Sequence, residues 1–236
     1  MRMMTAAEAT RAAGKLVVPG QRRLLGIAGE PGAGKSTLAN RIAEALNAKT
    51  PSTQALDTQA LDTQSPNTGR AADDAPAAIV VPMDGFHLAQ HELERLGRAD
   101  RKGAPDTFDS WGFLAMLARL ADGRAREVYA PRYARELHNP IAGAIRVPRE
   151  TPLVIIEGNY LLLPHEPWAL ARRHFTQIWQ LNLDEQLRRE RLIARHIEFG
   201  KTPEAARRWA LGPDERNASL VRAQAGRADA LVTLDQ

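Results

Sequence analysis

The stretch Gly26–Asn40, "GIAGEPGAGKSTLAN", is the most informative segment of the chain about its architecture. Gly29, Gly34, Lys35 and Ser36 occupy the four fixed positions of the pattern G-x-x-x-x-G-K-S/T. An apolar run precedes the glycines and residues with helical spacing follow them, which predicts a strand, a tight loop and a helix. Glycine allows such a loop to turn its backbone N–H groups inward around phosphate oxygens. The sequence therefore predicts a nucleotide-binding P-loop, with a glycine-rich turn that binds nothing as the alternative.

Each part of this loop has an expected role toward a nucleotide. Lys35 can reach the β- and γ-phosphates, Ser36 can bind Mg²⁺, and the start of the helix adds the positive end of its dipole. ATP and Mg²⁺ are thus the expected cofactors. The predicted nucleotide-binding residues are Gly29, Glu30, Pro31, Gly32, Ala33, Gly34, Lys35, Ser36 and Thr37.

Outside the loop, apolar runs alternate with amphipathic segments. Strands are predicted in "RRLLGIAGE", "AAIVVPMD", "TPLVIIEGNYLLL", "FTQIWQLNLD" and "ADALVTL". Helices are predicted in "KSTLANRIAEALN", "SWGFLAMLARLADG", capped by Asp109 or Ser110, and "EQLRRERLIARHIEFG". Continuously apolar strands are typical of a parallel sheet that is covered on both faces. The predicted fold class is α/β: a P-loop NTPase with a doubly wound, mostly parallel sheet, helices on both faces and a helical lid over about 185–212.

The chain of 236 residues is expected to form a single domain. Residues 1–20 are interpreted as an N-terminal extension, and 50–77, where "TQALD" occurs twice, as a disordered insertion. An amphipathic helix over 53–64 is the alternative for that segment. The chain has no cysteine, which excludes disulfides and thiolate metal sites, and no apolar stretch long enough to span a membrane. We expect a cytoplasmic protein without a membrane partner.

Two carboxylates follow apolar strands directly. Asp84 ends the run in "IVVPMDGFHL", and Glu157 ends that in "LVIIEGNYLLL". Because ligands bind at the carboxyl ends of parallel strands, both should lie beside the P-loop. We assign Asp84 as the catalytic base and Glu157, with Ser36, to the metal side. Capping or turn carboxylates, and an exchange of the two roles, remain as alternatives.

Six segments together resemble a known group of enzymes. They are "GEPGAGKST", "PMDGFHL", "RKGAPDTFD", "YAPRYARELHNP", "LVIIEGNYLLL" and "RLIARHIEFGKTPEAARRW". In this order they resemble the uridine kinase, pantothenate kinase and phosphoribulokinase superfamily, and most closely its bacterial nucleoside/nucleotide kinase-like branch, some members of which are called fructose-transport-system kinases. The resemblance covers about 24–235 apart from the insertion. It implies ATP-dependent phosphorylation of an alcohol group on a small molecule.

The resemblance also suggests which residues bind the acceptor. Asp84 matches the family's catalytic aspartate, and Arg101 and Lys102 match a basic pair of the pantothenate kinase-like members. Tyr133 and His138 fall where uridine kinases contact base and sugar. The expected substrate-binding residues, with His87 added because it follows Asp84 closely, are Asp84, His87, Arg101, Lys102, Tyr133 and His138. The family pattern further puts Asp214 and Asn217 at the nucleotide base.

An arginine-rich helix is expected to form the lid. Arg188, Arg191 and Arg195 share one helical face, which could close over the phosphates. With Asp84 and Lys35, the predicted catalytic residues are Arg191 and Arg195. A plain amphipathic surface helix is the alternative.

The leading hypothesis is a small-molecule kinase whose acceptor is a sugar, a nucleoside or a pantothenate-like alcohol. The first alternative is a nucleotide-binding regulatory ATPase or sensor. A nucleic-acid-dependent ATPase is a weaker one: a net charge of +4 decides nothing, and the four tryptophans are too scattered for a stacking platform and are expected in the core or at interfaces. We therefore expect no nucleic-acid partner and leave a homodimer open.

Overall fold

The structure, a computed structural model, describes residues 1–49 and 75–234. Its strands are β1 Arg2–Thr5, β2 Arg23–Gly29, β3 Ala78–Pro82, β4 Glu127–Ala134, β5 Asn139–Pro148, β6 Leu153–Gly158, β7 Gln177–Asn182 and β8 Ala230–Thr233. Its α-helices are α1 Ala6–Gly14, α2 Lys35–Asn47, α3 Gln90–Arg95, α4 Ser110–Asp122, α5 Trp168–Ala171, α6 Glu185–Glu198, α7 Pro203–Leu211 and α8 Pro213–Arg222. The five predicted strands and three predicted helices are all confirmed.

Six strands form one parallel sheet in the order β1-β8-β7-β2-β6-β3. Every residue of β6 is buried, as expected for a strand covered on both faces. Successive residues of β2 point to opposite faces, so Leu24 belongs to the core that holds α4 and α5, whereas Leu25 belongs to the core that holds α1 and α2. The predicted α/β class with a parallel sheet and helices on both faces is therefore confirmed.

The P-loop joins the central strand β2 to α2. It leaves β2 at Gly29, and α2 begins at Lys35. Gly32 and Gly34 have φ angles of 83° and 92°, a region that side-chain residues rarely adopt. Glycine at these two positions is thus a requirement of the loop's backbone.

The first residues of the chain belong to the sheet rather than to an extension. Thr5 and Glu8 form a capping box at the start of α1, and Met4 is buried in β1, which pairs with β8. The interpretation of 1–20 as an appended segment therefore differs from the structure. The pattern T-x-x-E was the available sequence signal.

A feature that the sequence analysis did not predict is the antiparallel hairpin of β4 and β5. It lies against the turn Met83–Phe86 that follows β3. A Cβ atom on Gly85 would lie only 2.3 Å from the main-chain oxygen of Pro131 in β4. Gly85 therefore permits the close approach that brings the hairpin over the end of β3.

The segment 50–77, predicted to be a disordered insertion, lies outside the described residues except for 75–77. Within 1–49 and 75–234, no helix is both long and apolar enough to cross a membrane.

Candidate active site

The ends of β2, β3 and β6 meet at one edge of the sheet, as the strand-end rule predicts. Ser36, at the start of α2, donates a hydrogen bond of 2.7 Å from Oγ to Oε1 of Glu157, at the end of β6. Glu157 is only 5% exposed. The pKa of Glu157 is raised first by burial and then by the nearby negative charge of Asp84. The two strand-end carboxylates therefore interact electrostatically.

Lys35 is held inside the loop. Its Nζ donates to the main-chain oxygen of Glu30 at 3.0 Å and to Oδ1 of Asn159 at 2.6 Å. Burial lowers the pKa of the Lys35 ammonium group, so an anion beside it would stabilise the charged form. Asn159 was missed by the sequence analysis, although it stands two residues after Glu157 at the same strand end.

Two cavities share this edge. The P-loop cavity, of about 480 Å³, is lined by loop residues together with Asp84, Glu157, Arg191 and Arg195. The second, which we call the aromatic cavity, has a volume of about 220 Å³. Its aromatic walls are His87, Tyr133, Phe199 and Trp209. The residues that line both cavities are Pro31, Asp84, Arg135, Asn159 and Arg195.

Asp84 stands where the two cavities meet, in the turn directly after β3. Nδ1 of His87 lies 2.8 Å from the main-chain oxygen of Asp84. That oxygen can only accept, so Nδ1 carries the proton. The His87 ring also contacts Phe108 and Tyr133, with centroids 4.0 and 5.0 Å away. Burial lowers the pKa of His87, so a neutral imidazole is held against the turn that carries Asp84.

Of the expected substrate-binding residues, Lys102, Tyr133 and His138 line the aromatic cavity together with Asp84 and His87. Arg101 does not. Its Nη2 lies 2.9 Å from Oδ2 of Asp106, and it is not among the residues lining the cavity. Ala104 N donates to the main-chain oxygen of Arg101 at 2.9 Å, which closes a tight turn with Lys102 and Gly103 at its centre. Because of this turn, the side chains of Arg101 and Lys102 point in different directions.

The predicted arginine face of α6 is likewise divided. Arg191 and Arg195 line the P-loop cavity. Arg188 is 1% exposed and is paired with Glu30 and Glu215, and it is not among the residues that line the P-loop cavity. Arg135 of the β4–β5 connection, which the sequence offers together with Arg132 as a candidate to bind an anionic or polyhydroxy substrate, lines the same cavity. Burial and then the charge of Arg135 lower the pKa of Arg195, so an anion there would relieve both effects.

The end of α6 places further residues in the aromatic cavity. Gly200 has a φ of 92°, its N–H bonds to the oxygen of Ile197, and Lys201 N bonds to the oxygen of His196, which together form a Schellman motif. The motif leads Lys201 Nζ over the Trp209 ring, 4.8 Å from its centroid. The sequence analysis did not place these residues at the site, because helical periodicity does not show where the chain leads after a helix ends.

The four tryptophans, and the two residues expected at the nucleotide base, lie in different surroundings. Trp168 and Trp179 are buried as expected, but Trp111 is 60% exposed and Trp209 lines the aromatic cavity. Asp214 and Asn217, expected at the nucleotide base, also line the aromatic cavity rather than the P-loop cavity. Asp214 Oδ2 lies 2.7 Å from Nε2 of His196.

The donor set fits Mg²⁺. Ser36 and Glu157 offer oxygen atoms, which this ion prefers, and it typically uses one or two protein oxygens together with phosphates and water. No cluster of three or more His, Cys, Asp or Glu with metal-site geometry occurs in the described part of the chain, so a site built from protein alone is absent there. A partial oxygen set beside a phosphate loop is what a nucleotide-bound ion needs.

The sequence of the chain was compared with those of known proteins. No family model matches the chain. It is 31% identical over 184 residues to "Putative uridine kinase C227.14" of Schizosaccharomyces pombe, covering 76% of this chain and 68% of that protein. It is 30% identical over 225 residues to the uncharacterized protein YggC of Escherichia coli, covering 95% and 83%. A pantothenate kinase of Leifsonia xyli is 33% identical over 141 residues, with 60% of this chain and 36% of that one covered.

Solved structures agree. The crystal structure titled "putative fructose transport system kinase" from Silicibacter sp. TM1040 is 34% identical, with a TM-score of 0.78 and coverage of 97% of this chain and 98% of that one. YFH7 of Saccharomyces cerevisiae, 21% identical with a TM-score of 0.76, covers 98% of both chains and shares the fold. Taken with the strand-end carboxylates around the P-loop, these likenesses show that the chain belongs to the superfamily of P-loop kinases that includes the uridine kinases and pantothenate kinases.

Proposed function

We propose that this kinase transfers the γ-phosphoryl group of ATP to a hydroxyl group of a small molecule bound in the aromatic cavity. The observation that carries the proposal is the position of Asp84, which lines both cavities. A carboxylate at this junction can contact an acceptor hydroxyl on one side while the phosphates lie on the other. The aromatic cavity is lined by aromatic side chains and a few polar ones, the combination that binds and orients small molecules.

The residues divide the work of an in-line transfer. The P-loop N–H groups and Lys35 bind the β- and γ-phosphates. Asp84 accepts the proton of the acceptor hydroxyl as the new bond from the acceptor oxygen to the γ-phosphorus forms. The bond from that phosphorus to the β–γ bridging oxygen breaks, and ADP leaves with its electron pair. Arg195 and Arg191 bind the charge that spreads over the equatorial oxygens.

Ser36 and Glu157 are the residues that would hold Mg²⁺, and the bound ion would neutralise charge on the β- and γ-oxygens. In the chain as described, Ser36 and Glu157 are joined by a hydrogen bond, which keeps their oxygens together beside the loop. The raised pKa of Glu157 reflects its burial.

Transfer of label into a metabolite extract tests this function without knowledge of the acceptor. The protein is incubated with Mg²⁺, [γ-³²P]ATP and a deproteinised cell extract, and the labelled compounds are separated from ATP and inorganic phosphate by chromatography. We expect label in a small molecule that is neither ATP nor inorganic phosphate, formed at least ~10²-fold more slowly by an Asp84→Asn variant. Release of inorganic phosphate alone, at a rate that the extract does not change, would contradict the proposal and indicate a regulatory ATPase.

A further inference from the structure

We propose that the acceptor carries, in addition to its reacting hydroxyl, an oxyanion group that Lys102 and Lys201 bind in the aromatic cavity. The inference rests on the proposed function, since it concerns the second substrate of that reaction. A carboxylate and a phosphate monoester share the required chemistry, and the test below distinguishes them.

The first support is the location of the two lysines. Both line the aromatic cavity, and neither lines the P-loop cavity. Arg135 and Arg195 line both cavities and are therefore available to the transferred phosphoryl group. Lys102 and Lys201 supply additional positive charge to the aromatic cavity alone.

The second support is the absence of a counter-charge. Within residues 1–49 and 75–234, no carboxylate oxygen lies within 4.0 Å of the ammonium group of Lys102 or Lys201. Lys102 Nζ donates to two neutral oxygens, Oε1 of Gln90 at 3.0 Å and the main-chain oxygen of His138 at 2.8 Å. An ammonium group has three N–H donors, so one remains for a ligand.

Burial makes this arrangement costly without a ligand. It lowers the pKa of Lys102, and within the described residues the nearby charge of Glu94 raises it. Lys201 lies on the Trp209 ring, and no hydrogen bond from its ammonium group is formed within the described residues. Two partly desolvated ammonium groups with free N–H donors are stabilised when an anion binds between them and accepts hydrogen bonds from both.

The acidic residues of the cavity do not supply that anion. Asp214 is bound to His196 at 2.7 Å, and Asp84 is placed for the reacting hydroxyl. The remaining charged side chains that line the cavity are positive: Lys102, Arg135, Arg195 and Lys201. A neutral sugar or nucleoside would leave this excess uncompensated.

The test divides the same cell extract before the labelling reaction. An anion exchanger separates a flow-through, which holds neutral compounds, from a bound fraction, which holds carboxylates and phosphates. We expect acceptor activity only in the bound fraction, and activity confined to the flow-through would overturn the inference. Label in neither fraction would instead contradict the proposed function itself, so the two failures are distinguishable.

Pretreatment of the bound fraction with alkaline phosphatase, removed before the assay, identifies the anion. Loss of acceptor activity indicates a phosphate monoester, and its retention indicates a carboxylate. Lys102→Met and Lys201→Met should each raise the apparent KM for the bound fraction at least ten-fold, while the KM for ATP stays within about three-fold of the wild-type value. Lys201→Arg keeps the positive charge and should therefore raise the KM for the bound fraction less than Lys201→Met does. Lys15→Met, at an exposed lysine outside both cavities, is the matched control. An unchanged KM in both cavity variants would overturn the assignment of the lysines.

Discussion

Nε of Arg188 in α6 lies 2.9 Å from Oε2 of Glu30 in the P-loop. The same guanidinium group lies 2.5 Å from Glu215 of α8 and donates from Nη1 to the main-chain oxygen of Pro31 at 3.3 Å. A Cβ on Gly32 would lie 3.0 Å from the main-chain oxygen of Arg188, so the loop and the helix are also in backbone contact. Arg188 therefore joins the P-loop to α6 and α8, and we expect it to position the loop.

Replacing Arg188 should affect stability and ATP binding more than the rate of phosphoryl transfer. Arg188→Met would leave Glu30 and Glu215 partly desolvated, with Arg222 and Arg189 as their remaining ion-pair partners among the described residues. Loss of one member of a buried ion pair typically costs about 3–5 kcal/mol. We expect a clearly lower Tm and a KM for ATP raised at least ~10-fold, with kcat less affected. Arg216→Met, at an exposed position of α8, should change neither quantity. A wild-type Tm and KM for Arg188→Met would refute the positioning role.

Asp84→Asn tests the base. The amide keeps the shape of the side chain but cannot take the acceptor proton, so kcat should fall at least ~10²-fold while ATP affinity stays near that of the wild type. Single-turnover rates and nucleotide titration measure the two effects separately. If ATP affinity collapsed while kcat persisted, Asp84 would be a metal or phosphate ligand, and Glu157 would become the candidate base.

Three arginines of α6 should differ in their effects. Arg195 lines both cavities, so Arg195→Ala should lower kcat at least ~10²-fold with the ATP dissociation constant within a few-fold of wild type. Arg191→Ala should act in the same direction or more mildly. Arg189 is paired with Glu185 and Glu215 and lines neither cavity, so Arg189→Ala is the same-helix control. Equal, small effects at all three positions would show that the arginines do not contact the transferred phosphoryl group.

Glu215 gives a pH-dependent prediction. Burial raises its pKa, but hydrogen bonds from Arg189, Arg188 and Arg222 outweigh burial and lower it from 4.5 to about 2. The folded state therefore binds this proton more weakly than the unfolded state. The stability that the carboxylate contributes is complete above about pH 4.5 and is lost as the pH falls toward 2.

Urea unfolding of the wild type and Glu215→Gln over pH 7 to 3.5 measures this contribution. We expect the variant to be less stable by roughly 1–3 kcal/mol at pH 7 and the difference to shrink below pH 4.5. Glu204→Gln, at an exposed position of α7, should show no such trend. A difference that stays constant with pH would contradict the ionised network.

The elements around the site followed from local patterns. Gly29 to Ser36 specify a loop because glycine conformations and the helix start are decided within a few residues. Asp84 and Glu157 were assigned to one edge because parallel strands present their carboxyl ends together, whatever their separation along the chain. Ser36 and Glu157 are 121 positions apart in the chain, and the hydrogen bond between them agrees with that assignment.

Side-chain partners could not be predicted in the same way. Arg188 has the same helical spacing as Arg191 and Arg195, and only the rotation of α6 against the loop decides that Arg188 is buried beside Glu30. Arg101 and Lys102 form a basic pair in the sequence, yet the turn at Gly103 turns one toward Asp106 and the other toward the aromatic cavity. Both outcomes depend on packing between distant segments.

The P-loop, the parallel sheet and the carboxylates beside the loop follow from the sequence, because they depend on backbone conformation and on apolar periodicity, which short segments encode. Several residues of the aromatic cavity were expected to bind substrate, but whether they form one cavity depends on how the turn after β3, the β4–β5 hairpin and the α6–α7 connection pack together. Lys102 and Lys201 stand 99 positions apart in the chain and line one cavity only because those segments pack together. The free energy of such contacts depends on which surfaces pack against each other, and this packing is defined only in the folded chain.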